Sequence, residues 1–315
     1  MNNIIKKNQL SSFLKRSYNI NVKKIFKYKN GVQNNNYLIS DENKNTVLRI
    51  YNYKKSEEIL YTIKILEKLK KSNFPSPRLI SNFANKPYSI IKGKPCILYQ
   101  AISGSNMTTI SLDLIKEIGS LHGKMHNQLI LEKSSTKIIS WDYEELINLI
   151  EIKKEKLLKL KFHDISTRVD YINKNLNKLS FPQHLPKGGT HQDIKPENII
   201  VNNDKINGII DFDNAYYGSL LHDLSTSIIW FCFNNGQLKL ERLKTLVESY
   251  QKERKLQDIE KEFFSDSIKF RLLREAIIWP ITVSHNIKIA KKLSDYFTAL
   301  YINIDGRILN TYKLF

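Results

Sequence analysis

Hydrophobic positions in the first third of the chain fall in short runs broken by polar turns; beyond it they recur every three or four residues. The first habit belongs to strands, the second to helices buried on one side. Residues 7–18 read as a short helix leading into a strand at Val22–Tyr28. Gly31 and the run Asn34–Asn36 make a turn before a second strand, Tyr37–Ser40. A third follows at Thr46–Tyr51, with Val47, Leu48 and Ile50 apolar and Arg49 the odd member. A helix opens near Ser56, a plausible N-cap, and carries Ile59, Ile63, Leu66 and Leu69 on one side. Two prolines in FPSPRLI (74–80) break it. Residues 86–102 make a hairpin turning at Lys92–Lys94, and its second strand runs from Cys96 to Ile102.

The text then changes to SGSNM, small and polar, which suits a hinge after Ile102. The expected division is an amino-terminal lobe, residues 1–102, and a carboxyl-terminal lobe, residues 103–315. The second lobe reads as mostly helical. Residues 111–128 put Leu114, Ile118, Leu121 and Met125 on one face, and Tyr143 to about Leu179 gives two basic helices. Leu238–Phe315 continues with helical spacing, and Pro280 is expected to kink or end its helix. His122 and His126 lie four apart on one helix face. With no third ligand to suit zinc, they read as packing or capping residues.

Composition changes this picture little. A chain of 315 residues, 41% hydrophobic, can fill two lobes with cores. No apolar run approaches the roughly eighteen residues of a membrane span. MNNIIKKNQLSS lacks the apolar core of a signal peptide. Cys96 and Cys232 lie in apolar surroundings and read as small buried hydrophobes, which fits a reducing cytoplasm. The net charge of +19 invites a nucleic-acid partner. The lysines, however, are spread along the whole chain, many on helices with an apolar face, and read as solvated surface. Such a charge still steers anionic nucleotides and argues against a polycationic substrate.

Candidate chemistry concentrates in HQDIKPENIIVNNDKINGIIDFD, His191–Asp213. Ile199–Val201 read as one strand, Asn202–Lys205 as a turn and Ile206–Ile210 as a second strand. A hairpin is expected to bring Asn198 and Asp211 face to face, with Asp193 one short loop away. Any one of these residues is also an ordinary turn former. Together, a carboxylate that takes a proton and a carboxylate–amide pair for a hard divalent cation are the equipment for phosphoryl transfer.

HQDIKPEN followed by IIDFD resembles the catalytic and metal-binding loops of protein kinases and of the small-molecule kinases that share their fold. Asp213 stands where a protein kinase would have Gly, and no Ala-Pro-Glu follows. Asp223 comes twelve residues after Asp211, inside the apolar LLHDLSTSIIWFCF. These features resemble the aminoglycoside phosphotransferase and choline kinase group. With GVQNNNY at 31–37, they look most like the homoserine kinases of that group. The resemblance implies an α+β, bilobal protein-kinase-like fold, with a small antiparallel-sheet lobe, a larger helical lobe, and ATP and Mg²⁺ as cofactors.

On that resemblance, Asp193 is the base that orients the substrate hydroxyl. Lys195 either neutralises the transferring phosphoryl group or is a solvated loop charge. Asn198 and Asp211 hold Mg²⁺ bound to ATP. Asp213 is a second metal contact or reaches a substrate ammonium. His191 packs beneath the loop, and Asp223 braces the loop's backbone N–H groups. In the amino-terminal lobe, Arg49 reaches the α- and β-phosphates. Glu57 and Glu58 both lie in the next helix's first turn; either complements the helix dipole or pairs with Arg49, and Glu58 is the favoured partner. Asn35 belongs to the turn over the phosphates, and the main chain of Gln100 and Ile102 receives the adenine. Arg271 and Arg274 are candidate carboxylate grips.

Homoserine is the first substrate expected; choline, an aminoglycoside or another amino alcohol is the alternative. A protein kinase is disfavoured because the segment after Asp211 goes straight to a helix, leaving no room for an activation loop. A non-catalytic nucleotide-binding protein is disfavoured by the intact Asp193, Asn198 and Asp211. The expected partner is a small hydroxylated molecule, with neither nucleic acid nor membrane, and the chain is expected as monomer or homodimer.

Overall fold

The computed structural model describes residues 5–28, 34–42, 44–130, 141–284 and 286–304. In chain order its elements begin with α1 (Lys7–Tyr18), β1 (Lys24–Lys27), β2 (Asn35–Ser40), β3 (Asn45–Ile50), α2 (Ser56–Lys71), β4 (Ser89–Ile91), β5 (Lys94–Gln100) and β6 (Ser105–Asn106). They continue with α3 (Leu112–Gln128), α4 (Tyr143–Leu158), α5 (Ile165–Leu176), β7 (Lys187–Gly189), β8 (Ile199–Asn202), β9 (Lys205–Ile209) and β10 (Tyr217–Ser219). The last are α6 (Leu220–Phe231), β11 (Phe233–Asn234), β12 (Gln237–Leu238), α7 (Leu240–Glu253), α8 (Asp258–Glu262), α9 (Phe264–Thr282) and α10 (Ile287–Ile304). This is the α+β architecture expected, with sheet early and helix late.

The chain forms two compact units. The first gathers the described residues up to Ser105 together with Ile200–Asp213. Its main sheet is antiparallel in the order β1-β2-β3-β5-β4. Successive side chains on a strand point to opposite faces. Tyr37 and Ile39 of β2, Leu48 and Ile50 of β3, and Cys96 and Leu98 of β5 join Leu10, Phe13 and Leu14 of α1 in one core. Arg49, lying between Leu48 and Ile50, is thereby turned to the other face. Helix α2 buries Ile59, Ile63, Leu66 and Leu69, the side that the spacing predicts. Its N-cap is Lys55, one residue before the Ser56 expected. In the β8–β9 hairpin, Asn203 and Asp204 take φ of 49° and 58°, the signs that a two-residue type I′ turn needs.

The second unit gathers residues from Asn106 to 130, from 141 to Ile199, and from Asn214 to 304. It is built largely from helices, with α3 against α7 and α9 against both α6 and α10. Two glycines set the first of these contacts. A Cβ on Gly119 would lie 2.4 Å from the Leu246 carbonyl oxygen, and one on Gly123 would lie 2.7 Å from that of Tyr250. The two helix backbones therefore nearly touch. Pro280 lies inside α9, which ends two residues later at Thr282, so the proline sits in the final turn. Strand β7 pairs with β10, and Thr190, just after β7, donates from both N–H and hydroxyl to the Tyr216 carbonyl at 3.0 and 2.8 Å. These bonds fix the point from which the loop bearing Asp193 departs.

Candidate active site

In the second unit the loop His191–Asn198 folds back on itself. A 3-10 turn over Pro196–Asn198 returns the chain, and the Asn198 N–H donates to the Lys195 carbonyl at 2.9 Å. This places the Asn198 amide on Asp193: its Nδ2 donates to the Asp193 carbonyl at 2.8 Å and to Oδ2 at 3.0 Å. Lys195 Nζ reaches Asp193 Oδ1 at 2.9 Å. The same ammonium lies 5.8 Å from the ring centroids of both Trp230 and Trp279. Both carboxylate oxygens of Asp193 are therefore oriented by neighbours. His191 is fully buried, and its Nδ1 accepts the Asp193 N–H at 3.2 Å.

Beneath the loop, Asp223 enters from the first turn of α6, a helix capped by the Ser219 side chain. Its Oδ2 accepts the His191 N–H at 2.9 Å and its Oδ1 the Gln192 N–H at 2.6 Å. The same Oδ2 lies 3.2 Å from His122 Nε2 and 3.0 Å from His126 Nε2. The outer nitrogens of the two imidazoles contact Ser227 Oγ at 2.9 Å and Tyr250 Oη at 2.7 Å. A third polar group does therefore join the two histidines, contrary to the sequence reading, which found none. Burial works to raise the Asp223 carboxyl, but hydrogen bonds from both histidines outweigh it and hold the group well below the usual carboxylate range. Burial, aided by its histidine neighbour, lowers His126 to about 3, so at neutral pH its ring is uncharged.

In the first unit, Arg49 projects from β3 onto the two aspartates that follow β9. Its guanidinium lies 2.8 Å from Asp211 Oδ1 and 2.5 Å from Asp213 Oδ2. Burial would loosen the Arg49 proton, but the two carboxylates reverse that and bind it well above the ordinary range. Asp213 also accepts from Asn34 Nδ2 at 2.6 Å and Tyr51 Oη at 3.1 Å, and Lys54 donates to its carbonyl. Asp211 takes φ of 69°, a left-handed conformation uncommon for a residue with a side chain.

Several expected placements differ. Glu58 does not serve Arg49: its Oε2 accepts the Lys55 N–H at 2.6 Å and closes the start of α2. Asn35 lies in β2 opposite Ile50, not in a turn, and its amide donates to Asn52 at 3.1 Å. The strand starts earlier because register with β3 extends to that position; Gly31 to Gln33 lie outside the described residues. The Gln100 N–H is engaged by the Arg78 carbonyl at 3.0 Å; the side chain of Ile102 lies on Gly208, a contact that does not involve the main-chain groups expected to receive the adenine. Arg271 bonds to Gln192, and Arg274 bonds to the Trp141 carbonyl and Glu275. Sequence reasoning missed Gln192 within the loop, Trp230 and Trp279 beside Lys195, and Tyr250 on His126. No local spacing marks them, because the partners of each lie on other elements.

In the first unit Asp211 and Asp213 offer carboxylate oxygens, and in the second Asn198 offers an amide oxygen; each is a hard donor of the kind that Mg²⁺ takes. A guanidinium already rests on Asp211, so its environment suits positive charge. The donor chemistry fits the metal expected.

The sequence profile of the phosphotransferase enzyme family matches residues 25–256. The homoserine kinase of Zymomonas mobilis is 26% identical over 281 residues, 86% of each chain. Among solved structures, amicoumacin kinase hAmiN, in complex with AMP-PNP, Ca²⁺ and its amicoumacin ligand, superposes with a TM-score of 0.72 at 16% identity, covering 95% of this chain and 94% of that one. The microcompartment-associated aminopropanol kinase does so with a TM-score of 0.71 at 17% identity, covering 98% and 99%. At those identities the structural likeness speaks for the fold.

Proposed function

The chain belongs to the phosphotransferase enzyme family, and from that premise we propose that it transfers the γ-phosphate of ATP to the hydroxyl of a small molecule, homoserine in the first place. The observation that carries this reading is the oriented Asp193, held by Asn198 on one oxygen and Lys195 on the other. The acceptor hydroxyl donates its proton's hydrogen bond to Asp193. Its oxygen then forms a bond to the γ-phosphorus as the bond to the bridging oxygen breaks, and ADP leaves. Asp193 takes the proton released, and Lys195 faces the charge on the moving phosphoryl group. Asn198 and Asp211 supply oxygen donors for Mg²⁺, which neutralises phosphate charge when bound. Arg49 turns some of its guanidinium N–H donors to the nucleotide's phosphates. The relatives named homoserine kinase support the first substrate.

One observation favours a second reading. Homoserine carries a carboxylate, and both arginines that the sequence offers as grips are engaged elsewhere. An amino alcohol without a carboxylate needs no such grip, and the likeness to the aminopropanol kinase agrees. The test is ADP release with homoserine, 1-amino-2-propanol, choline, kanamycin and a basic-protein mixture. Turnover of homoserine above the rest upholds the first reading, turnover confined to the simple amino alcohols the second, and turnover of none defeats both. Asp193→Ala is expected to lower kcat by about 10²- to 10⁴-fold while nucleotide binding persists.

A further inference from the structure

Gln192 immediately precedes Asp193 and has φ of +67°, the left-handed region that side chains rarely occupy. It is 2% exposed. Such a conformation persists only where its surroundings over-determine it. Three bonds do so here. Its N–H goes to Asp223 Oδ1 at 2.6 Å, its carbonyl accepts Arg271 Nη2 at 2.6 Å, and its side-chain Oε1 accepts Arg271 Nη1 at 2.8 Å. The guanidinium thus takes backbone and side chain of one residue in a single planar fork, which a lysine cannot reproduce. Arg271 is itself 1% exposed and is pinned by Glu275, one turn further along α9, at 3.1 Å. Burial among its neighbours pulls its pKa down to about 10, so it remains a cation at neutral pH. The arrangement is not the least costly one for packing. Gln192 Nε2 and Arg271 Nε are both buried with no partner among the described residues. A buried donor left unpaired in a native protein calls for a reason, and strain held at a reactive loop is one.

We propose that Arg271 is a positioning residue: it locks Gln192 in the left-handed conformation that presents Asp193 to the acceptor hydroxyl, and so governs kcat and not substrate affinity. The proposal rests on the phosphotransferase reading above. It differs from a packing role for Arg271 in one respect. Glycine takes φ of +67° without a Cβ penalty and needs no lock. The effect of losing Arg271 therefore depends on which residue stands at position 192.

The experiment measures kcat and KM for Arg271→Met, which removes the fork at similar volume, and for Arg271→Met combined with Gln192→Gly. The single variant is expected to lose about tenfold or more in kcat, with both KM values within about threefold, and the double variant to regain much of that loss. A kcat within twofold of the parent, or a loss that glycine does not relieve, would overturn the proposal. Where Arg271→Met does not accumulate as folded protein, Gln192→Gly and Gln192→Val are compared in the parent chain. Glycine is expected to exceed valine by about tenfold in kcat at similar KM, because a β-branched residue fits this φ worst. Equal rates would refute it. Amide hydrogen exchange separates this idea from the functional reading. Arg271→Met, or Gln192→Val in its place, is expected to speed exchange at His191 and Gln192 by about tenfold while amides of α3 and α7 are unmoved. That result upholds the lock even if the parent protein phosphorylates no acceptor tried; unchanged exchange refutes it even if the enzyme is active.

Discussion

Each unit carries an aspartate cluster, and the two are stabilised by opposite means. In the first unit, Asp211 and Asp213 lie against a permanent cation, Arg49, with Asn34 and Tyr51 as minor partners. In the second, Asp223 is sealed among two backbone N–H groups and two imidazoles. A guanidinium can leave one anion for another at modest cost, since its charge is satisfied by phosphate as well as by carboxylate. Backbone N–H groups cannot leave without unfolding the loop. The lesson is that exchangeable charge stands where a nucleotide and metal are proposed to bind, and fixed dipoles stand under the residue proposed to handle the proton.

The contrast is broken most severely at Asp223. Asp223→Ala leaves two buried N–H groups and two histidines without their acceptor, and is expected to cost about 3–5 kcal/mol in urea unfolding. Added Mg²⁺ should restore none of it. Arg49→Met should cost less, about 2–3 kcal/mol, because the side chain of Asp211 is 33% exposed and keeps water. Here millimolar Mg²⁺ should recover part of the loss, and the KM for ATP should rise at least about tenfold. Identical responses of the two variants to Mg²⁺ would erase the distinction.

Acid is the third lever. His126 falls from 6.5 to about 3 on folding, so between those values the unfolded chain binds the extra proton and stability drops as pH falls. From pH 7.5 to 5 the loss is roughly 2 kcal/mol, at 1.36 kcal/mol per unit below 6.5. The depressed Asp223 carboxyl adds loss in the same direction below its unfolded value. His126→Asn should flatten the curve of stability against pH across pH 5–6.5, and an unflattened curve would place the sensitivity elsewhere. The smallest effect is expected at Glu58. Glu58→Ala removes a helix-end hydrogen bond worth about 0.5 kcal/mol and should leave the KM for ATP unchanged. A raised KM would return Glu58 to the phosphate side.

The sequence made some of this visible and hid the rest for physical reasons. Helix α1, the buried side of α2 and the β8–β9 hairpin follow from apolar spacing and turn residues, which are local properties. Asn203-Asp204 are legible because a type I′ turn demands residues that tolerate positive φ. The two readings of Glu58 stay open in the sequence because a first-turn glutamate serves a helix end as readily as a distant arginine; in the structure it bonds to the nearby Lys55 N–H. The role of Gln192 was hidden because φ is a property of the folded loop and glutamine does not advertise it. The histidine pair was legible as a shared helix face, but the acceptor it meets is about a hundred residues away in sequence.

The glycine seam between α3 and α7 ties these observations together mechanically. His126 hangs from α3 and Tyr250 from α7, and they meet only because Gly119 and Gly123 let the helix axes close in. From His126 the chain of contacts runs through one carboxylate to the amide just before Asp193. A single methyl group at position 119 would therefore act as a shim, prying the helices apart and tilting a distant lever. The tolerance of the reactive loop is set by the gap between two backbones that carry no chemistry of their own.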